Sequence, residues 1–283
     1  MGKVLIMTDS TADLSKEILL KNDIESIPLF IRFDEEVYLD GIEIEPKEMY
    51  QKVQEKKMMA KSSGLRSGDF NVAFRKFLAR GYDIVYIGIS SKVSGSIQSA
   101  EIARNSIDQE RIHIVDSLNL SGGLAYLVLR AVELRNDGLG ALEIKEAIEA
   151  LVPYVKSYYI IPSLDYLYIG KKITKAQRFF GKLRSTKPMI TVHNGEVIMH
   201  SKPHGTIEKA IDHMLKTIFH KNHKVLKDFL VLSSSYQDKG MLYLKDTLKK
   251  TYHMEKYHHA YMGCVIAAHA GKGAIGISYI ERD

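Results

Sequence analysis

Short apolar runs recur along this chain, and small polar residues or glycine break each one before an amphipathic stretch begins. Lys3–Met7 leads into Thr8-Asp9-Ser10-Thr11-Ala12-Asp13-Leu14, and Ile84–Ile89 leads into Ser90-Ser91-Lys92-Val93-Ser94-Gly95-Ser96. Arg111–Val115 leads into Asp116-Ser117. Uninterrupted apolar strands are those covered on both faces, as in parallel sheets. Helical stretches follow them: Lys16–Asn22 capped by Ser15, Ile97–Ser106, and Leu120–Asn136 with Gly138 as its stop. Strand and helix therefore alternate, which predicts an α/β fold with a mainly parallel sheet and flanking helices. Ligands of such sheets bind beyond the C-terminal strand ends, where all three polar breaks fall.

The remaining elements of the first half are a strand over Glu25–Phe33, an edge or hairpin around Gly41, Ile42 and Ile44, and a helix from Pro46 to Glu55. A loop over Ala60–Phe70 leads to a helix ending at Ala79, and a helix over Leu142–Leu151 closes the half. The second half changes character. Strands are expected over Ser157–Pro162, Pro188–Val192, Glu196–Ser201 and Phe229–Ser233, with Asn194-Gly195 a hairpin signal. Helices are expected over Lys175–Leu183, Ile207–Phe219 and Met241–Thr251, and the chain ends in a helix or turn and a glycine-broken strand. We expect two domains, residues 1–153 and a mixed α/β domain over residues 154–283, with a cleft between them.

Composition excludes several classes. With 283 residues the chain can bury a large core, and its formal charge of +6 comes from scattered lysines rather than a basic groove. Nucleic acid is therefore not an expected partner. No apolar run reaches the roughly 18 residues a membrane helix needs, and no signal peptide is read at the N-terminus. One cysteine, Cys264, gives no internal disulfide and fits a reducing compartment, so a cytoplasmic location is expected.

The turn over residues 90–99 carries the clearest chemistry. A strand that breaks into hydroxyls and glycine before a helix presents free N–H groups and the positive end of the helix dipole. It can seat a phosphate or a carboxylate, with Ser94 and Ser96 as further donors, or it can be an ordinary serine N-cap. Asp9 resembles a haloacid-dehalogenase nucleophile, but Thr11 stands where a second aspartate belongs, so Asp9 and Thr11 are read as capping the following turn or bonding neighbouring loops. Ser94 is not in a Gly-x-Ser-x-Gly elbow, and a hydrolase would need His269 as its base. His220, His223, His258 and His259 lack zinc-site spacing and are read as exposed. No phosphate-loop or dinucleotide motif is present, so neither a cofactor nor a metal is expected.

Taken together, these segments resemble the DegV family. The likeness lies in Thr8–Leu14, Ser90–Ser96 with Gln98-Ser99-Ala100, Asp165-Tyr166-Leu167 with Gly170, Lys187-Pro188, and His269-x-Gly-x-Gly-Ala-x-Gly. It covers essentially the whole chain. The resemblance implies a bacterial two-domain α/β protein that holds one long-chain fatty acid between its domains. It also implies a possible partner, since several members present lipid to a fatty-acid kinase. Carried over by position, the carboxylate site would comprise Ser62 and Ser63, Ser94, the Gly95 N–H and His269. Lys172 stands at the family's arginine, a point charge in place of a planar fork. The chain also departs from the family's pattern at Ser63–Arg66, which lacks Gln-Pro, and at Ala270, Lys272 and His204.

The energetics fit a carrier without catalysis. A palmitate tail has about fourteen methylenes, and at roughly 0.8 kcal/mol each its burial contributes on the order of 10 kcal/mol before ordering costs. An unpaired buried carboxylate would oppose this by several kcal/mol. The serine hydroxyls and backbone N–H groups would offset much of that penalty. The rival expectation is a serine-dependent acyl or phosphate-ester hydrolase using Ser94 and His269.

Overall fold

The computed structural model describes residues 2–170, 186–220, 224–226, 228–236 and 238–282. Its first half opens with β1 (Lys3–Asp9), a single 3-10 turn at Ser10–Ala12, α1 (Lys16–Lys21) and β2 (Ile24–Ile27). Then come β3 (Phe30–Phe33), β4 (Glu36–Leu39), α2 (Pro46–Lys56), β5 (Lys61–Ser63), α3 (Ser67–Leu78) and β6 (Tyr82–Gly88). The half ends with α4 (Ser96–Ile107), β7 (Ile112–Asp116), α5 (Gly122–Asn136) and α6 (Ala141–Leu151). The second half holds β8 (Val155–Ile160), α7 (Asp165–Ile169), β9 (Met189–His193), β10 (Glu196–Ser201) and α8 (Ile207–Ile218). It closes with β11 (Lys224–Val225), β12 (Leu230–Ser234), α9 (Asp238–Tyr252), β13 (Tyr257–Tyr261), α10 (Cys264–Ala270) and β14 (Ile275–Arg282).

Strands β2-β1-β6-β7 form an all-parallel sheet. The chain leaves β1 toward β2 on one side and returns as β6 on the other. The strand order therefore reverses between β1 and β6, the kind of place where ligand crevices open in α/β sheets. The second-half sheet is mixed, in the order β10-β9-β8-β14-β12-β13, with β11 against β14. Asn194 and Gly195 both have positive φ, 48° and 83°, and join β9 to β10 in the expected hairpin. A small antiparallel sheet, β4-β3-β5, stands apart from both.

That small sheet corrects one expectation. The run over Glu25–Phe33 is two strands: β2 joins the parallel sheet and β3 leaves it, with Pro28 between them. Proline has no N–H to give a ladder, and the chain changes sheets there. A second correction concerns His258 and His259, which lie half-buried on β13; His259 Nε2 meets Ser234 Oγ at 2.9 Å. His223 and the helix expected over Lys175–Leu183 lie outside the described residues.

Helix α5 sits between the two large sheets, against β1 and β6 on one side and β8, β12 and β14 on the other. Its apolar side chains are buried all round, as a helix covered on both sides requires. Its first two residues are glycines for want of room. A Cβ on Gly122 would lie 2.6 Å from Ser233 Oγ, and one on Gly123 would lie 2.2 Å from Asn119 Oδ1. One core cluster runs unbroken from Leu5 and Met7 of β1 through Phe70 and Tyr86 to Tyr159, Ile190 and α10. The two sheets are thus packed into one interior.

Candidate functional site

The chain's first polar break is structural. Asp9 caps the 3-10 turn by accepting from the Thr11 N–H and hydroxyl. It also accepts from Tyr86 OH at 2.9 Å and the Ile89 N–H at 3.1 Å. Burial pushes its carboxyl upward, and these donors pull against that shift. A carboxylate so enclosed is a joint between β1 and β6 rather than a nucleophile.

The second break opens into a cavity. Ile89, Val93, Ser94 and Gly95 line it from the end of β6, and Ser62 and Gly64 line it from the end of β5. Tyr159, Ile161, Leu167, Ile190 and Val197 line it from the mixed-sheet half, and Met262, Val265, Ile266, His269 and Ala270 from α10 and the residues just before it. The cavity measures about 260 Å³ and its wall is mainly apolar. Val265, Ile266, His269 and Ala270 recur three and four apart, so one face of α10 forms this wall, with Met262 just ahead of it.

The polar groups collect at one end. Ser62 Oγ lies 2.8 Å from His269 Nε2. Ser94 Oγ lies 2.9 Å from Ser96 Oγ and accepts from the Ser96 N–H at 3.3 Å. Gly95 precedes the twelve-residue α4 with φ −80°, and a Cβ built there would meet nothing within 4 Å. Neither backbone conformation nor protein packing demands that glycine; what its absent side chain leaves is clear approach to the N-terminus of α4.

Two other glycines hold the polar end together. A Cβ on Gly64 would lie 2.9 Å from Ser94 Oγ and 3.1 Å from Ser96 Oγ, so the β5 loop reaches the Ser94 turn only without one. A Cβ on Gly170 would lie 2.1 Å from His269 Nδ1, so the imidazole rests directly on that backbone. At the opposite end of α10, Asp40 accepts from the Cys264 N–H at 2.7 Å, the Val265 N–H at 3.4 Å and Ser10 Oγ at 2.9 Å. Asp13 accepts from the Gly263 N–H at 2.8 Å. Burial pushes both carboxyls up, Asp13 strongly. Acids from the first half thus cap this second-half helix at its start, and Ser62 receives it at its end.

Of the residues singled out from sequence, Ser62, Ser94, Gly95 and His269 face one cavity. Ser63 is the neighbour of Ser62 on β5 and is not among the lining residues, because successive strand side chains point to opposite faces. Lys172 lies outside the described residues. Gly64 went unnoticed, as did the apolar wall from β8, β9 and β10. The Tyr159 and Ile161 alternation was its only sequence signal. Among the described residues no group of three or more His, Cys, Asp or Glu side chains is placed to hold a metal.

A family model described as "Uncharacterised protein, DegV family" matches residues 3–282. The chain belongs to the DegV family. A DegV domain-containing protein of Clostridium acetobutylicum is 34% identical over 282 residues, covering 100% of both chains. Among solved structures, a DegV protein from Thermus thermophilus described by its fatty-acid binding superposes with a TM-score of 0.89 at 27% identity, covering 99% of this chain and 100% of the other. The Fatty Acid Kinase (Fak) B3 protein of Streptococcus pneumoniae, loaded with linoleic acid, shares the DegV fold with a TM-score of 0.84 at 20% identity, covering 99% and 100% of the two chains.

Proposed function

We propose that this DegV protein is a non-catalytic carrier of one long-chain fatty acid of about palmitate size. Its two lobes, residues 1–153 and 154–283, enclose the tail, and Ser62, Ser94 and the Gly95 N–H hold the carboxylate. His269 supports that head group; the family likeness alone assigns the same task to Ser63 and Lys172, and Ser63 does not face the cavity. The observation that carries the reading is the convergence of Ser62, Ser94 and His269 on one end of an otherwise apolar cavity. Apolar walls supply affinity for a hydrocarbon, and clustered donors fix which end is held. The Thermus relative's fatty-acid binding supports the same ligand class.

The hydrolase reading is the less favoured. It needs His269 on the Ser94 hydroxyl, whereas His269 Nε2 meets Ser62 and Ser94 Oγ meets Ser96. Transport, or presentation of the lipid to a fatty-acid kinase, is the use that family membership suggests, and the cytoplasm is where such a partner would work. Among the described residues no helix is long and apolar enough to cross a membrane.

The test is native mass spectrometry and lipid extraction of protein purified from bacteria, followed by titration of delipidated protein with palmitate. A co-purifying fatty acid and saturable binding are expected. An empty protein that binds no fatty acid in titration rejects the carrier.

A further inference from the structure

Two cavities meet at a single side chain. The first is the one described above. The second, about 570 Å³, lies between the turn and helix that follow β1, the 40–46 segment and the residues just before α10. Its apolar wall includes Ala12, Leu14, Leu19, Pro28 and Ile42. Met262 lines both cavities, and no other lining residue is shared. It is 2% exposed, and its N–H is fixed to the Ser234 carbonyl at 2.9 Å. The backbone is therefore held, and the thioether, with its three rotatable bonds, is the part of the residue that can take up space between the two cavities.

The position of Met262 gives it a direction. The extended Gly263 and the length of α10 separate it from the polar end at His269. Beyond it stand Asp9, Asp13 and Asp40, all lining the second cavity. Glu17 and Glu45 line it too, so five acids face the single Lys16 there; that balance disfavours a carboxylate, so the end of a fatty acid that approaches Met262 is the methyl end.

We propose that Met262 is the chain-length stop of the acyl cavity: the methyl end of the bound tail terminates against its thioether, and the second cavity is the space this side chain denies it. The inference rests on the fatty-acid reading above. Shortening the side chain would join the two cavities and let a longer tail continue into the second. Each methylene that gains room there adds about fourfold in affinity.

The experiment is titration of delipidated protein with saturated fatty acids of 12 to 20 carbons. In the wild type, affinity should climb with length and then break. In Met262→Ala the break should move two or more carbons longer, with about a tenfold gain for the first acids past the wild-type limit. Met262→Val puts a branched apolar side chain of shorter reach at the same core position; it should move the break the same way to a smaller extent, and it decides the matter should the alanine variant not fold. Folding of each variant is checked by its thermal midpoint. A break at the same length in the wild type and in the folded variants overturns the stop while leaving the carrier reading intact. A wild type that binds none of the acids overturns both.

Discussion

Ser62 and His269 lie 207 positions apart in the chain, and their side chains meet at 2.8 Å. The contact joins β5 of the small sheet to the last turn of α10, a strand from one half to a helix from the other. The same helix is held at its start by Asp40 and Asp13 of the first half. Its two ends are therefore tied to two loops of the opposite lobe, and the face between them walls the cavity. On the proposed reading, position along α10 becomes position along the acyl tail, with hydroxyls and imidazole at one end and Met262 beyond the other.

Ser94 is the first residue to change. Ser94→Ala should weaken fatty-acid binding by about 1–3 kcal/mol, the cost of leaving a buried ligand oxygen without its donor. The fold should survive, because Ser94 is only partly buried and the Ser96 hydroxyl remains beside the Leu65 N–H at 3.4 Å. Isothermal titration with palmitate measures the change. A dissociation constant equal to the wild type's would remove Ser94 from the site.

Gly64 and Gly170 test the site without touching a donor. In Gly64→Ala the new methyl would stand 2.9 Å from Ser94 Oγ, and that hydroxyl must turn away. We expect a loss of about 1 kcal/mol in fatty-acid affinity, comparable to one hydrogen bond, with little change in stability. Gly170→Ala is more severe, since the methyl would overlap the His269 ring at 2.1 Å from Nδ1. The ring must leave Ser62, so both affinity and thermal midpoint should fall, by more than in Gly64→Ala. If the two variants bind palmitate as tightly as the wild type, these close approaches have nothing to do with the ligand.

Most of this fold could be read from the sequence wherever local chemistry acts alone. The Ser15 cap, the proline start of α2, the Asn194-Gly195 hairpin and the glycine stop after α5 depend on a few neighbouring residues, and each stands where expected. Asp9 likewise caps its own turn, with Thr11 as the donor. The failures are all tertiary. β5 has three residues, too few for any periodicity, yet it carries Ser62. The run through Pro28 has one hydrophobic pattern and two destinations. β13 was missed because His258 and His259 are polar, and only pairing with β12 makes them a strand. Ser94 and Gly95 stand out in the sequence as a hydroxyl- and glycine-rich turn before a helix and His269 as a histidine among small residues, whereas Ser62 comes only from likeness to a family. Their convergence depends on helix α5 holding the two sheets together, which no local pattern encodes.

Asp40 offers a test of the far end of α10. It is 3% exposed and accepts from the Ser10 hydroxyl and the Cys264 and Val265 N–H groups. Asp40→Ala strands these donors and should cost about 2–4 kcal/mol of stability. Asp40→Asn keeps one acceptor oxygen for the Cys264 N–H and should cost about half as much. Urea denaturation midpoints give both values. Because α10 also carries His269, the alanine variant should bind palmitate more weakly as well. An alanine variant as stable as the wild type would mean that the cap contributes nothing.

Asp13 makes stability depend on pH in a direction that can be worked out. Burial raises its carboxyl well above the ordinary 3.8, with the nearby Asp40 and Asp9 adding to the shift and the Ser121 and Gly263 donors opposing it. Among the described residues, its Oδ2 has no hydrogen-bond partner. The native state therefore keeps a proton that the unfolded chain has already released. More protons bound in the native state means that stability falls as pH rises. The contribution is fully present below about pH 3.8 and is lost progressively as pH climbs toward the raised native value. Asp9 and Asp40 are raised too and slope the same way. Asp13→Asn replaces the protonated carboxyl with a neutral group of the same shape, keeps an acceptor for the Gly263 N–H, and removes one share of that slope. The variant should be more stable than the wild type at pH 8, with the difference shrinking at pH 5. Urea denaturation at the two pH values measures it. A wild type that stays the more stable by the same margin at both would show that Asp13 is ionised in the folded protein and that its charge is fully compensated.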